Sequence, residues 1–159
     1  AYQDEARDPL LDAPRMYGLS QSHKHLPEMC TVTGLQTLPV FCPIVSDFYS
    51  GMVVTVPLFK EDVNGASMSD IANSYKELYT GPIVTCTENM GENGFISGAG
   101  LSGKDSMHVS VLGNDERMIL VARYDNLGKG ASGAAIQNMN LVLGLPEGTG
   151  LKGAAGWIS

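Results

Sequence analysis

The sequence predicts an α+β domain built on a mostly antiparallel sheet with helices on one face. Three observations lead there. Segments rich in β-branched and alternating residues, at 52–58 and across 107–124, read as strands, the second of them as a hairpin. Between them, apolar residues recur at spacings of three and four, the signature of a helix. The order that results is helix, strands, helix, strand, hairpin, helix, without the regular βαβ alternation of a doubly wound sheet. At 159 residues the chain has the length of one domain and can bury a core of its own.

Residues 1–18 show no sustained periodicity, and Pro9 and Pro14 interrupt any helix, so this stretch reads as an irregular lead-in. Residues 22–33 offer a short helix, with Pro27 tolerable in its first turn and Gly34 as its stop. Residues 40–45 form an apolar run containing Pro43, which points to an edge or irregular strand. The strand at 52–58 is taken to end at Pro57. A helix follows in which Ser67 or Ser69 is the cap and Ile71, Ala72, Tyr75, Leu78 and Tyr79 make the apolar stripe, with Gly81-Pro82 as its terminator. Residues 83–87 read as a short strand and 91–103 as a glycine-rich connection. The hairpin turns over residues 113–116 and returns along 118–124. A helix rich in small residues ends at Gly144 and Pro146, and residues 146–159 read as a flexible tail. The domain proper is thus placed at 19–145.

Composition narrows the class of function. A formal net charge of −7, with ten basic residues of which no two are adjacent, argues against nucleic acid. A small anionic substrate, by contrast, needs only one or two placed donors. No apolar run approaches the length that crosses a bilayer, so no membrane role is expected, and the acidic amino terminus carries no secretory pattern. Cys30, Cys42 and Cys86 are widely spaced without a CxxC pair. They make neither a disulfide framework nor a zinc site, which fits a cytoplasmic protein. The absence of an initiator methionine points to an excised or processed piece.

Three segments carry candidate chemistry. In His23-Lys24-His25-Leu26-Pro27-Glu28 two histidines flank a lysine, a set able to move protons or hold an anion. The spacing does not match helical zinc sites, and no metal is assigned. Glu28 can complete a capping box or favour the positive end of the helix. In Asp47-Phe48-Tyr49-Ser50-Gly51-Met52 a tight turn presents Tyr49 and Ser50, or else its aromatics simply pack at the start of the strand. In residues 125–140, Gly128, Gly130 and Gly133 at a helix start either leave amides open to an anion or allow close packing against another element. In the packing reading, Gln137 and Asn140 are surface or cap residues.

In this order the segments "HKHLPE", "FYSGMVVTVP" and "DNLGKGASGAAIQ" resemble N-acetyl-γ-glutamyl-phosphate reductases across nearly the whole chain. The fold implied is that of the carboxy-terminal domain of glyceraldehyde-3-phosphate and semialdehyde dehydrogenases. The chemistry implied is the NADPH-dependent conversion of N-acetyl-γ-glutamyl phosphate to the semialdehyde in arginine biosynthesis. A cysteine thiolate attacks the acyl phosphate, phosphate leaves, and hydride reduces the thioester. By the resemblance, His23 or His25 is the acid/base partner of that thiolate. Lys24, where such enzymes often carry arginine, is by the same resemblance the candidate contact for the substrate phosphate, and Tyr49 and Ser50 are taken as further substrate-binding residues. Asn126, Gly130 and Gln137 face the nicotinamide side of NADP(H). The sheet builds a subunit interface, implying a homo-oligomer.

The departures are as informative. The glycine-rich dinucleotide fingerprint is missing, and so is the nucleophilic cysteine in its "PGCYPT" setting. Cys30 follows the histidine segment and reads as a small buried residue rather than a nucleophile. The chain is therefore expected to be the substrate-side fragment of such a reductase, inactive and without bound NADP(H) alone, with its own nucleotide-binding half as partner. Two alternatives stand beside this. One is a non-catalytic ligand-binding or self-associating module. The other is a fragment of an aspartate-semialdehyde dehydrogenase, which shares the "DNLxKGA" helix but places an asparagine where Gly133 or Ala134 stands here.

Overall fold

The structure, a computed structural model, describes residues 6–153 and resolves into two compact units, residues 1–48 and 49–159. The expected lead-in at residues 1–5 lies outside the described residues, as do residues 154–159 of the expected tail.

The first unit is built from short elements. A 3-10 turn at Pro9–Asp12 starts on Asp8, whose carboxylate accepts from the Leu10 amide at 2.9 Å. Strand β1 (Arg15–Met16) then pairs antiparallel with β2 (Ile44–Val45) in a two-stranded ladder. The lead-in is thus partly structured from residue 9 on. The apolar run at 40–45 is a strand only in its last two residues. Between the two strands lies helix α1 (His25–Thr33). It stops where Gly34 adopts φ +76° and returns its amide to the Cys30 carbonyl at 2.8 Å. At its other end Lys24 occupies the cap position with no side-chain hydrogen bond, so the capping box expected of Glu28 does not form. Leu26 is the one fully buried side chain among the described residues of this unit.

The second unit holds a four-stranded sheet in the order β3-β6-β5-β4. Strand β6 (Arg117–Tyr124) runs antiparallel to both its neighbours, β3 (Met52–Phe59) and β5 (Met107–Asn114), and β4 (Val84–Cys86) adds in parallel beside β5. The architecture is α+β with a mostly antiparallel sheet. Strand β3 runs through Pro57 to Phe59 instead of ending at the proline. Pro57 is tolerated because β3 is an edge strand, where a missing donor costs no ladder bond on the open side. The hairpin turn is tighter than the sequence implies, because both strands extend to Asn114 and Arg117. The Asn114 carboxamide oxygen closes it by accepting from the Glu116 and Arg117 amides, each at 3.0 Å.

Helix α2 (Met68–Leu78) is capped by Ser67, whose hydroxyl accepts from the Asp70 amide while Asp70 accepts from the Ser67 amide. It ends before Gly81-Pro82 and packs on β5 and β4. A single π turn, Gly128–Ser132, leads into α3 (Gly133–Val142), so the small-residue helix starts later than its sequence pattern implies. Ile136 of α3 and Val84 pack on the fully buried Ile83 and Leu151. Leu151 belongs to the segment expected to be a loose tail. Residues 146–153 are instead tied down, because the buried Asn140 carboxamide donates to the Glu147 and Thr149 carbonyls at 3.0 and 2.9 Å. Asp105 adds bonds through both its backbone and its carboxylate to Lys152.

Candidate functional site

In the first unit the two histidines are brought together. His23 lies just before α1 and His25 is the first residue of the helix, a geometry that sets their rings edge to face at 4.7 Å between centroids and 66° between planes. Phe41 lies against both, at 5.1 Å from His23 and 6.4 Å from His25, and Tyr17 lies 6.0 Å from His23. His23 is half-buried and His25 is exposed. The His25 backbone N–H donates to Nδ1 of His23 at 3.3 Å. An accepting Nδ1 carries no proton in the neutral ring, so the proton sits on Nε2, which is a donor. Among the described residues the His25 ring has no hydrogen-bond partner. Lys24 between them is exposed. Cys30 is half-buried on α1, its thiol directed to the Thr37 carbonyl at 3.6 Å.

In the second unit the chain gathers around Asp125, at the end of β6 and only 2% exposed. One carboxylate oxygen accepts from the Ser50 hydroxyl at 2.6 Å and from the Gly103 amide at 2.5 Å. The other accepts from the amides of Leu127 and Gly128 at 2.7 and 2.9 Å. Burial by itself pushes this carboxyl up. The bonds from Ser50, Gly103, Gly128 and Leu127 outweigh it and hold the group down at about 2. Ser50, having given its proton to Asp125, accepts from Ser102 at 2.6 Å. The Asn126 carboxamide oxygen accepts from the Gly51 amide at 2.8 Å. Asp125 thereby ties the start of β3, the loop at 102–103 and the glycine turn into one knot.

The glycines of that turn serve close packing. A Cβ at Gly128 would lie 2.5 Å from the Lys104 carbonyl oxygen, and one at Gly133 would lie 2.5 Å from the Asp105 carboxylate. The amides of Leu127 and Gly128, which an anion would have needed, are already used by Asp125. The turn is therefore not a phosphate cradle. Asn126 keeps its Nδ2, and Gln137, whose Nε2 donates to Glu147 at 2.6 Å, keeps its Oε1. Gly130 is exposed beside the Tyr124 ring. Of the other sequence candidates, Tyr49 is 91% exposed, while Ser50 is 4% exposed with its hydroxyl spent inside the knot. Asp125, Ser102 and Gly103 were not singled out from sequence. Only Asp125 carried a signal, as the first residue of the "DNLGKG" stretch.

A further buried charge sits on β6. Arg123, opposite His108 on β5 and Val53 on β3, pairs with Glu92, and its guanidinium lies so close over Gly100 that a Cβ there would come within 2.5 Å of it. Burial, then the nearby Arg123 and Lys104 charges, push the His108 imidazole down. Among the described residues no helix is long and apolar enough to cross a membrane.

Residues 4–126 match the family described as semialdehyde dehydrogenase, dimerisation domain. Among curated proteins, the chain is 40% identical over 145 residues to N-acetyl-gamma-glutamyl-phosphate reductase 2 of a Nostoc species, covering 86% of this chain and 45% of that protein. It is 42% identical over 146 residues to the N-acetyl-gamma-glutamyl-phosphate reductase of Sinorhizobium fredii, covering 89% and 47%. The reductase of the same name from Brucella suis is 41% identical over 135 residues, covering 81% and 44%. The chain thus spans a little under half the length of the curated relatives it matches. With four-fifths or so of its sequence matched to reductases of that name and most of it to one domain type, the chain belongs to the semialdehyde dehydrogenase dimerisation-domain family.

Proposed function

We propose that this chain is the substrate-side, subunit-pairing portion of a reductase that converts N-acetyl-γ-glutamyl phosphate to the semialdehyde. The observation that carries the reading is the unequal histidine pair: one ring fixed by a backbone donor, the other unengaged. His25 is the acid/base. It is exposed and has a free ring nitrogen, so it can take the proton from a nucleophilic thiol and return it to the sulfur as the aldehyde is released. His23 presents Nε2–H and is suited to hold the oxygen on which negative charge develops. That thiol is supplied by the remainder of the longer relatives' type of chain, because Cys30, Cys42 and Cys86 lie outside any nucleophile setting. Lys24, exposed between the two rings, offers a cation to the departing phosphate, and the exposed Tyr49 offers a second polar contact.

When bound, NADPH supplies the hydride. Asn126 through Nδ2 and Gln137 through Oε1 are the contacts proposed for its carboxamide, with Gly130 leaving room beside them. Membership in a dimerisation-domain family supports a homo-oligomer. The pairing surface proposed is one face of edge strand β3, where Met52, Val54 and Val56 alternate at 38%, 40% and 46% exposure. Three free thiols accord with a reducing, cytoplasmic setting.

The test is reconstitution with the cysteine-bearing nucleotide half of a relative, following NADP⁺ reduction by the semialdehyde in the presence of phosphate. Activity is expected only with both pieces. His25→Ala should lower kcat about 1000-fold, and His23→Ala should lower it about 100-fold. Full activity of His25→Ala in a folded pair would sink the assignment.

A further inference from the structure

Gln21 is the one residue between Gly18 and His23 with an unusual backbone, at φ +53°, a region that residues with a Cβ adopt at some cost. The reason lies across the ladder. The β1–β2 pairing runs from Arg15 opposite Val45 to Met16 opposite Ile44, and the Tyr17 amide continues it by donating to the Pro43 carbonyl at 3.1 Å. There the backbone turns away through Gly18, at φ +66°, and Phe41 is left without a main-chain partner on that side. The Gln21 side chain takes its place. Its Nε2 donates to the Phe41 carbonyl at 2.8 Å, and its Oε1 accepts from the Phe41 amide at 2.9 Å. A carboxamide has the donor and acceptor of a peptide unit, so one side chain supplies the rung that the strand no longer provides.

Phe41 is also the ring against which both imidazoles rest. We propose that Gln21 is a positioning residue for the histidine pair, fixing Phe41 by a two-bond clamp so that His23 and His25 keep their mutual geometry. It touches neither imidazole and acts only through Phe41. The functional side of this inference rests on the proton-transfer reading of His23 and His25. The structural side does not.

The experiment uses the 159-residue chain and Gln21→Met, which keeps the side chain's length and loses both bonds. NMR reads two things: the ring-current displacement that Phe41 imposes on the carbon-bound protons of the two imidazoles, and the exchange rate of the Phe41 amide. In Gln21→Met the displacement should collapse and the amide should exchange about tenfold faster, while the amides of α1 stay unchanged and show that the unit carrying the substitution folds. Gln21→Glu, which keeps the acceptor for the Phe41 amide and loses the donor, should give an intermediate displacement. Unchanged imidazole shifts in both variants would overturn the clamp. In the reconstituted assay Gln21→Met should lower kcat about tenfold with KM within twofold. If the shifts collapse and kcat holds, the clamp stands and the catalytic reading of the histidines falls.

Discussion

The two units of this chain are held together by different means. In residues 6–48 one apolar side chain, Leu26, is fully buried, and order comes from local hydrogen bonds: Asp8 on a turn, Gln21 on Phe41, His25 on His23. In residues 49–153 a sheet carries buried Val109, Val111, Met118 and Val121, and a carboxylate with four donors ties three segments to it. The histidines proposed to move protons lie in the thinner unit. The buried polar knot lies in the sheet unit, where its hydroxyl and amides are consumed by structure. The lesson is that a polar constellation is read by what its atoms already hold. Asp125 is saturated and so braces the fold, whereas His25 is unengaged and so is available for chemistry.

This contrast can be broken at several points. The largest effect is expected at Gly51, which sits at φ +119° and where a Cβ would come within 2.1 Å of the Gly98 carbonyl oxygen. Gly51→Ala should destabilise the sheet unit by about 3 kcal/mol through strain and overlap together, measured by denaturant unfolding followed at the amides of β3 and β6. A loss under about 1 kcal/mol would show that the knot is looser than its geometry. Next comes Leu26→Ala. Deleting the one fully buried side chain among the described residues of the first unit should cost roughly 2.5 kcal/mol, seen as faster exchange of the α1 amides. If that exchange is unaffected, local hydrogen bonds alone hold the unit, and the contrast becomes sharper still.

A smaller and pH-dependent effect is expected at Asp125. Its folded value of about 2 lies below the ordinary 3.8, so the carboxylate contributes about 2 kcal/mol above that ordinary value. The contribution is lost as pH falls through the folded value. Asp125→Asn should therefore be less stable than the parent at neutral pH, and the two unfolding curves should converge between about pH 4 and 2. Parallel curves across that range would mean that the four donors do not favour the ionised form.

Much of the architecture was legible before the structure, and the failures have identifiable causes. Residues 68–78 announced a helix because Ile71, Ala72, Tyr75 and Leu78 share a stripe and Ser67 caps it. The hairpin was equally plain, since Met107, Val109 and Val111 alternate and Asn114 marks a turn. Pro57 was read as a terminator because a sequence does not state which strand is at an edge. Residues 146–153 were read as loose because glycine recurs in them, at Gly148, Gly150 and Gly153. Leu151 shows its role only once Ile83 and Ile136 are beside it. At the candidate site, "HKHLPE" identified the histidines but not their unequal hydrogen bonding, which depends on a backbone bond over two residues. Gln21 gave no signal, because its partner Phe41 is 20 positions away.

By itself the sequence determined the class of fold, the family resemblance and the residue types able to move protons, because these follow from periodicity, local capping and ordered motifs. The tertiary structure alone decided which polar atoms are already bonded and which are left over. Hydrogen-bond satisfaction depends on atoms far apart in the chain. Ser50 is a case in point: its hydroxyl reads as a ligand contact until Asp125, 75 positions away, is found to hold it.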